Sequence, residues 1–273
     1  MQNAQSGQAS LINNSGIMKT IILGIDKNST FNGKDVSIHV PISQNTDIQG
    51  IVLSDESHRK GDINISSEVI LADEDVKAEE NLNRISIELE SEGVHLDVPK
   101  KHILDKETLI ENSLLYDLFC SGNELLSESN GSYNNILLKL KCPVLLFPAK
   151  VPKVNHILLL FDGTSSSMTV IKQALAIFDD KIKASSVSVL ALHNHNEKQY
   201  YREHLIVNFL LSKFPDVGVL GIQKDNLNKE MMRILKNNEG TLVFTGHYGA
   251  EIILKSELKN LILTFNNPFF FTY

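Results

Sequence analysis

The sequence has two cysteines, no tryptophan and no apolar run long enough to cross a membrane. Cys120 and Cys142 lie far apart and form no Cys-x-x-Cys pair, which argues against a disulfide framework or a zinc site. Basic residues are outnumbered by acidic ones: there are 26 Lys and Arg residues and 33 Asp and Glu residues, which gives a net charge of −7. We therefore expect a cytoplasmic globular protein with reduced thiols that inserts into no membrane and binds no nucleic acid.

Catalytic motifs are absent as well. There is no Gly-Lys-Ser/Thr phosphate loop, and no nucleophile is paired with a base at a telling spacing. His193 and His195 alternate in a way that suits a metal, but no partner stands at metal-ligand spacing, so we interpret them as polar loop residues. The predictions are no enzymatic activity, no catalytic residue and no metal site.

The sequence does contain short apolar runs that alternate with segments of helical periodicity. Its 273 residues and 42% hydrophobic content suffice for two domains of ordinary size. Residues 19–26 and 156–162 are apolar runs that each end in an aspartate. Such alternation is typical of a parallel sheet whose strands are joined by helices.

The alternation occurs twice, with similar stretches in the same order. The matching stretches are KTIILGID with HILLLFD, LLYDLFCSG with GTLVFTG, and KLKCPVLLFP with TFNNPFFFT. The predicted fold is α/β, with two tandem doubly wound, Rossmann-like domains at 18–150 and 151–273 after a disordered extension at 1–17. We expect these domains to pack as an internal pseudo-dimer through Val144–Phe147 and Phe269–Thr272, whose apolar edges need covering.

The connections in the first half are less regular. Val36–Pro41 predicts a short strand and Ile51–Asp73 an irregular loop, so no helix is expected directly after the first strand. Glu74–Glu92 predicts a helix whose apolar face includes Val76, and Gly93 suits its end. A further strand is predicted at Val94–Val98.

The most informative stretch begins at Thr241–Thr245, an apolar run that leads into Gly246 and Gly249. In a strand–turn–helix unit of this kind, free N–H groups and the positive helix end bind phosphates. The same glycines also suit a tight turn that needs glycine whatever binds. Asp162 has two interpretations too, either as a contact to ribose or base or as an Asx turn bonded to the backbone near Thr164.

These stretches carry a resemblance to a known family. The second half resembles the universal stress protein domain in Asp162–Ser165, in Gly246–Gly249 and in the closing run at 266–272. The first half is similar in degenerate form at 107–122 and 141–148. The whole resembles the two-domain universal stress proteins of Bacteroidetes, which implies an adenine nucleotide alpha hydrolase-like fold and a part in the stress response.

The resemblance also implies an adenine-nucleotide site in the second half. The implied cofactor-binding residues are Asp162, Gly163, Thr164, Leu192, Gly246, Gly249 and Ser256. Only six residues separate Gly249 from Ser256, fewer than in the family pattern, and the shortening falls in the loop whose N–H groups would hold the phosphates. In the first half only Asp26 and Gly122 persist, so no nucleotide is expected there.

Two hypotheses about function follow. The preferred one is a non-catalytic regulatory protein that requires no cofactor and binds a protein partner or a copy of itself. The alternative is an adenine-nucleotide switch or weak ATPase that binds ATP in the second half. The loop between Gly249 and Ser256 distinguishes the two hypotheses, because a protein that binds ATP there needs this loop to present free N–H groups.

Overall fold

The computed structural model describes residues 19–40, 42, 46–53, 65–100, 102–127, 131–149, 153–178, 180–192 and 197–272. Strands and helices alternate along these residues. The strands are β1 (Lys19–Ile25), β2 (Thr46–Leu53), β3 (Ile103–Leu104), β4 (Leu118–Gly122), β5 (Val144–Phe147), β6 (His156–Phe161), β7 (Ser186–Leu192), β8 (Asp216–Ile222), β9 (Thr241–Thr245) and β10 (Phe269–Phe271). The helices are α1 (Gly33–His39), α2 (Ile65–Ser91), α3 (Lys106–Asn112), α4 (Gly131–Leu137), α5 (Ser165–Phe178), α6 (Asp180–Lys183), α7 (Glu197–Leu211), α8 (Leu227–Asn237), α9 (His247–Leu254) and α10 (Leu258–Thr264).

The strands form one ten-stranded sheet in the order β3-β2-β1-β4-β5-β10-β9-β6-β7-β8. Neighbouring strands are parallel except β5 and β10, which pair antiparallel at the centre with Leu145 opposite Phe270. Strands β1 to β5 and β6 to β10 therefore repeat one strand order on either side of an approximate two-fold axis. The predicted α/β fold with doubly wound parallel strands is confirmed, and so is the pairing of the two end strands.

Helices cover both faces of the sheet. One hydrophobic core joins it to α1, α2, α5, α6 and α7, and a second joins its other face to α3, α4, α8, α9 and α10. Strands covered on both faces are apolar at nearly every position, and all six residues of β6 are buried. Strand β8 differs, because most of its residues are exposed at the edge of the sheet.

The prediction for the segment after β1 is wrong, because helix α1 lies where Val36–Pro41 was expected to form a strand. A capping box starts this helix, with the Asp35 N–H donating to Asn32 Oδ1 at 2.9 Å and the Asn32 N–H donating to Asp35 Oδ2 at 3.0 Å. Helix α1 also packs so closely on α2 that a methyl group on Gly33 would lie 2.6 Å from the Leu89 nitrogen. Capping and packing outweigh the strand preference of the β-branched residues.

Two neighbouring predictions also need correction. Ile51–Asp73 is not an irregular loop where it is described, since it contributes the end of β2 and the start of α2. Val94–Val98 forms no strand: Asp97 makes one isolated bridge to Gln49, and β3 pairs with β2 instead. Short edge segments depend on their neighbours for hydrogen bonds, so their own sequence is a weak guide.

Other predictions are confirmed in outline. The helix predicted at Glu74–Glu92 lies in α2, although Val76 on its predicted apolar face is 52% exposed. The helix of the strand–turn–helix unit at Gly246 is two helices, α9 and α10, separated by a short break. The predicted disordered extension at 1–17 lies outside the described residues.

A buried histidine at the amino end of β6 links this strand to its two neighbours, β9 and β7. His156 Nδ1 lies 3.1 Å from Thr241 Oγ1, and Nε2 lies 3.0 Å from Ser188 Oγ. The Thr241 hydroxyl donates its own hydrogen to the Asn238 carbonyl at 2.7 Å, so it accepts from Nδ1. This arrangement favours a neutral imidazole with its proton on Nδ1, while Nε2 accepts from Ser188.

Lowering the pH is expected to destabilise the protein through His156. Burial lowers the pKa of His156 below its ordinary value of 6.5, and nearby Asp216 opposes the shift without cancelling it. The unfolded chain then binds a proton more readily than the folded chain, so the free energy of unfolding falls as the pH drops below about 6.5 and levels off below the lowered pKa. Chemical denaturation from about pH 5 to 8 measures this. His156→Gln should flatten that part of the profile, and an unchanged slope would contradict the assignment.

Candidate functional site

The turn between β6 and α5 is organised by Asp162, which is 6% exposed. Its Oδ1 accepts the Thr164 N–H at 2.8 Å and the Thr164 hydroxyl at 2.7 Å. Gly163 between them has a φ of 77°, a left-handed conformation that favours glycine. The structure therefore confirms the Asx-turn interpretation of Asp162.

Ser165, Ser166 and Ser167 follow this turn and form the start of helix α5. The Thr164 hydroxyl accepts the Ser167 N–H at 3.3 Å, and the Ser167 hydroxyl donates to the Thr164 carbonyl at 3.0 Å. Together these bonds cap the helix and satisfy part of its first turn. The side chain of Ser166 faces the turn after β9.

The turns after β6 and β9 pack directly on each other, because the two strands are neighbours. The Ser166 hydroxyl accepts the His247 N–H, the first in α9, at 3.1 Å. A methyl group on Gly246 would overlap the Ser167 backbone nitrogen and lie 2.7 Å from the Ser166 carbonyl carbon. Gly246 is thus required by packing, and one N–H that a phosphate would use is bonded to the protein itself.

Gly249 is also required by packing. It lies inside α9, where a methyl group would overlap Thr245 Oγ1 and lie 3.1 Å from Leu160 Cδ2. The Thr245 hydroxyl in turn is directed at the Leu160 carbonyl, 3.4 Å away. Packing thus accounts for both glycines, whereas the sequence offered a tight turn as the alternative to the ligand role. Gly249 lies in a helix and not in that turn.

Ser256 is not brought to the Gly246 turn. The residues between Gly249 and Lys255 are helical, and α9 separates Gly246 from Ser256 by about 12 Å along its axis. The Ser256 hydroxyl instead accepts the Leu258 N–H at 3.2 Å at the start of α10. Lys255, the nearest cation in sequence, bonds to Glu251 at 2.6 Å. A helix thus occupies the position of the expected phosphate loop.

Leu192 does lie beside Asp162. The register of β6 and β7 places Phe161 opposite Ala191, so the next residue on each strand is Asp162 and Leu192. Leu192 is 4% exposed. The structure therefore brings together Asp162, Gly163, Thr164, Leu192 and Gly246 at the carboxyl ends of the parallel strands. Ligands of open α/β sheets bind at this edge, which is distinct from the outer strands β8 and β3.

Two polar features of this edge could not be found from the sequence. Arg202 reaches from α7 to the turn, and its Nη1 donates to the Gly163 carbonyl at 2.6 Å. Asp162 Oδ2 is buried and has no hydrogen-bond partner within the described residues. No local spacing links Arg202 to Gly163, because they lie 39 residues apart.

The corresponding edge of the first half is closed by its own side chains. Asp26 Oδ1 accepts the Asn28 N–H at 3.1 Å, as in an Asx turn. The Glu124 carboxylate, just after β4, accepts the Thr30 N–H at 2.7 Å and also the Thr30 hydroxyl. A methyl group on Gly122 would overlap the Glu124 carboxylate. An internal carboxylate thus lies where an anionic ligand would approach.

Side chains of α2 close this edge further. The Asn81 amide donates to the Asp26 carbonyl at 3.1 Å, and the Arg84 guanidinium donates to the Phe31 carbonyl at 3.2 Å. The Glu88 carboxylate accepts the Gly33 N–H at 2.8 Å. The loop from β1 to α1 is therefore fixed by a helix that the sequence placed only in part.

The His, Cys, Asp and Glu side chains of the described residues bear on metal and redox chemistry. No group of three His, Cys, Asp or Glu residues there could hold a metal, and His193 and His195 lie outside it. Burial raises the pKa of the Cys120 thiol well above its ordinary value and that of Cys142 to about 12. Neutral buried thiols are poor nucleophiles.

No protein-family model and no curated protein matches the sequence. Solved structures match it over nearly its whole length. A universal stress protein from Archaeoglobus fulgidus DSM 4304 has a TM-score of 0.66 at 15% identity and covers 93% of this chain and 96% of its own. A protein of unknown function from Pseudomonas aeruginosa PAO1 has a TM-score of 0.55 at 14% identity, covering 93% and 92%.

A third match widens the range of functions that this fold serves. The cytoplasmic domain of a prokaryotic cation chloride cotransporter has a TM-score of 0.51 at 14% identity, covering 93% of this chain and 95% of its own. In the described residues of this chain, no helix is both long and apolar enough to cross a membrane. The chain has the fold seen in universal stress proteins, and its function must be argued from its own site.

Proposed function

We propose that the protein is a non-catalytic, stress-protein-type regulatory protein of the cytoplasm, which acts by binding a protein partner or another copy of itself. One observation carries the proposal, namely the 3.1 Å bond from the His247 N–H to the Ser166 hydroxyl. In nucleotide-binding α/β proteins, the N–H groups at this helix end are free for a phosphate. Here a side chain of the protein already occupies that position.

The first half supports the same proposal by a different contact. Its Glu124 carboxylate bonds to Thr30 at the corresponding edge, so a second anion would be repelled there. Within the described residues, neither half then offers the open, positively polarised turn that a triphosphate needs. Binding through the outer surface of the fold fits these contacts better than turnover of a nucleotide.

An adenine-nucleotide switch or weak ATPase is the second candidate. One observation favours it: Asp162 Oδ2 is buried beside Leu192 without a hydrogen-bond partner in the described residues. A buried acceptor of this kind would suit a donor such as a ribose hydroxyl. The nucleoside part of the implied site therefore fits these residues, whereas the phosphate part, at Gly246, Gly249 and Ser256, does not.

Thermal unfolding with ATP and Mg²⁺ separates the two candidates. We expect no shift at millimolar ATP, whereas a ligand at about 100 times its Kd would add about 2.7 kcal/mol to the free energy of unfolding. A shift that Asp162→Asn abolishes and Asp26→Asn preserves would establish the nucleotide site and overturn our preference. Asp26 is the matched control, because it forms the same kind of turn in the first half.

A further inference from the structure

Strand β8 forms one outer edge of the ten-stranded sheet and, within the described residues, pairs only with β7. Its seven residues run in unbroken register, from Asp216 opposite Ser186 to Ile222 opposite Leu192. The outer side of such a strand presents N–H and C=O groups that another strand can bond. The regular geometry therefore makes β8 a template for strand addition.

Features that normally protect an edge strand are missing from β8. It contains no proline, no lysine and no bulge, and its one charged residue, Asp216, stands at its start. Two large apolar side chains that point to opposite faces are exposed, Val219 by 41% and Leu220 by 38%. The other edge of the sheet is β3, which has only two residues, so strand addition is favoured at β8 alone.

We propose that β8 pairs antiparallel with β8 of a second copy of this chain, with Val219 on the two-fold axis. In that register Leu220 of each copy lies opposite Gly218 of the other and on the same face. A methyl group on Gly218 would have no atom within 4 Å, so the space beside it is open. The leucine of one copy thus fills the gap beside the glycine of the other.

A groove on the same face enlarges this space. It has a volume of about 260 Å³ and lies between β8 and α8, lined by residues that include Leu190, Gly218 and Ile234. A leucine side chain placed over Gly218 enters the mouth of this groove and is thereby removed from solvent. Removing apolar surface from water favours association, and the symmetric pair buries two leucines in this way.

Charge and symmetry favour a second copy over another extended peptide. The register places Asp216 opposite Ile222, so no like charges meet across the strands. Self-pairing supplies a large residue opposite each glycine automatically, whereas an unrelated strand would need the same alternation. The pairing is isologous and uses both β8 edges, so it ends at a dimer and builds no filament.

Analytical ultracentrifugation of the full chain tests the interface. The wild-type chain should form a dimer, and Val219→Lys should raise the dimer Kd more than tenfold because it places two charges on the axis. Ile87→Lys is the matched control, since Ile87 on α2 is 68% exposed and away from β8. A wild-type chain that stays monomeric, a Val219→Lys chain that dimerises normally, or an open-ended polymer would each overturn the proposal.

Cysteine cross-linking tests the register independently. Two residues at position 219 would have Cα atoms about 4.5–5.5 Å apart, within disulfide range. Two residues at 217 would stand four steps apart, roughly 13 Å, and out of range. Cys120 and Cys142 are buried and do not compete. Oxidation should link Val219→Cys chains and leave Val217→Cys chains single, and equal linking of both or of neither overturns the register.

Discussion

Replacing Phe270 with alanine is expected to lower the free energy of unfolding by about 4 kcal/mol. Phe270 is fully buried in β10, the strand that joins the two halves of the sheet. Its ring meets Phe178 edge to face at a centroid distance of 5.3 Å and Phe244 at 5.4 Å. Truncation would therefore leave a cavity and remove two aromatic contacts, each worth about 0.5–1.5 kcal/mol.

Chemical denaturation of Phe270→Ala and Phe265→Ala measures this effect. Phe265 is the matched control, because it is the same residue type but only partly buried after α10. Its replacement should cost clearly less, since less apolar surface is lost. A loss below about 1 kcal/mol for Phe270→Ala would mean that the seam between the halves does not depend on this cluster.

The sheet was predictable because its strands are buried on both faces. Such strands appear in the sequence as apolar runs, and their repeated order indicated two similar halves. The pairing of β5 with β10 followed from the same argument, since two apolar edges need a partner. The structure confirms this pairing, with Phe269 opposite Leu146 and Phe271 opposite Val144.

Helix α1 could not be predicted from periodicity. Its short sequence carries Val36 and Ile38, which favour strands, and its capping box is a signal of only two residues, Asn32 and Asp35. Packing against α2 decides the outcome, and that contact joins residues 55 positions apart, as in the bond from Gly33 to Glu88. Tertiary contacts of this range have no local trace in the sequence.

The strand-end placement of three candidate site residues was predictable, but their contacts were not. The sequence correctly placed Asp162, Leu192 and Gly246 at strand ends that meet at one edge. It could not show that Ser166 bonds to His247, because these residues lie 81 positions apart and meet only through the adjacency of β6 and β9. The same pair of glycines can serve phosphate binding in one protein and close packing in another, and the motif alone does not distinguish these two roles.

Gly246→Ala is expected to lower the free energy of unfolding by about 3 kcal/mol, at the upper end of the range for overpacking. The added methyl group would overlap the Ser167 backbone nitrogen and crowd the Ser166 carbonyl carbon. Backbone atoms cannot rotate away as a side chain does, so the turns after β6 and β9 must separate. Removing the hydroxyl with Ser166→Ala in the same chain should not restore stability, because two of the three contacting atoms are backbone.

Gly218→Ala, measured on the monomer at concentrations below the dimer Kd, is the matched control for this prediction, because a methyl group there has no atom of the same chain within 4 Å. Denaturation should show a change of less than about 1 kcal/mol for Gly218→Ala, whose main effect is on the unfolded chain. Equal losses at the two glycines would contradict the packing role of Gly246.

The two turns can pack on each other only because residue 246 has no side chain. Any Gly246 variant therefore destabilises the fold, whether or not it also affects the binding of a ligand. Asp162→Asn is therefore the sharper probe of nucleotide binding, since it changes one buried oxygen and retains the Oδ1 acceptor of the turn.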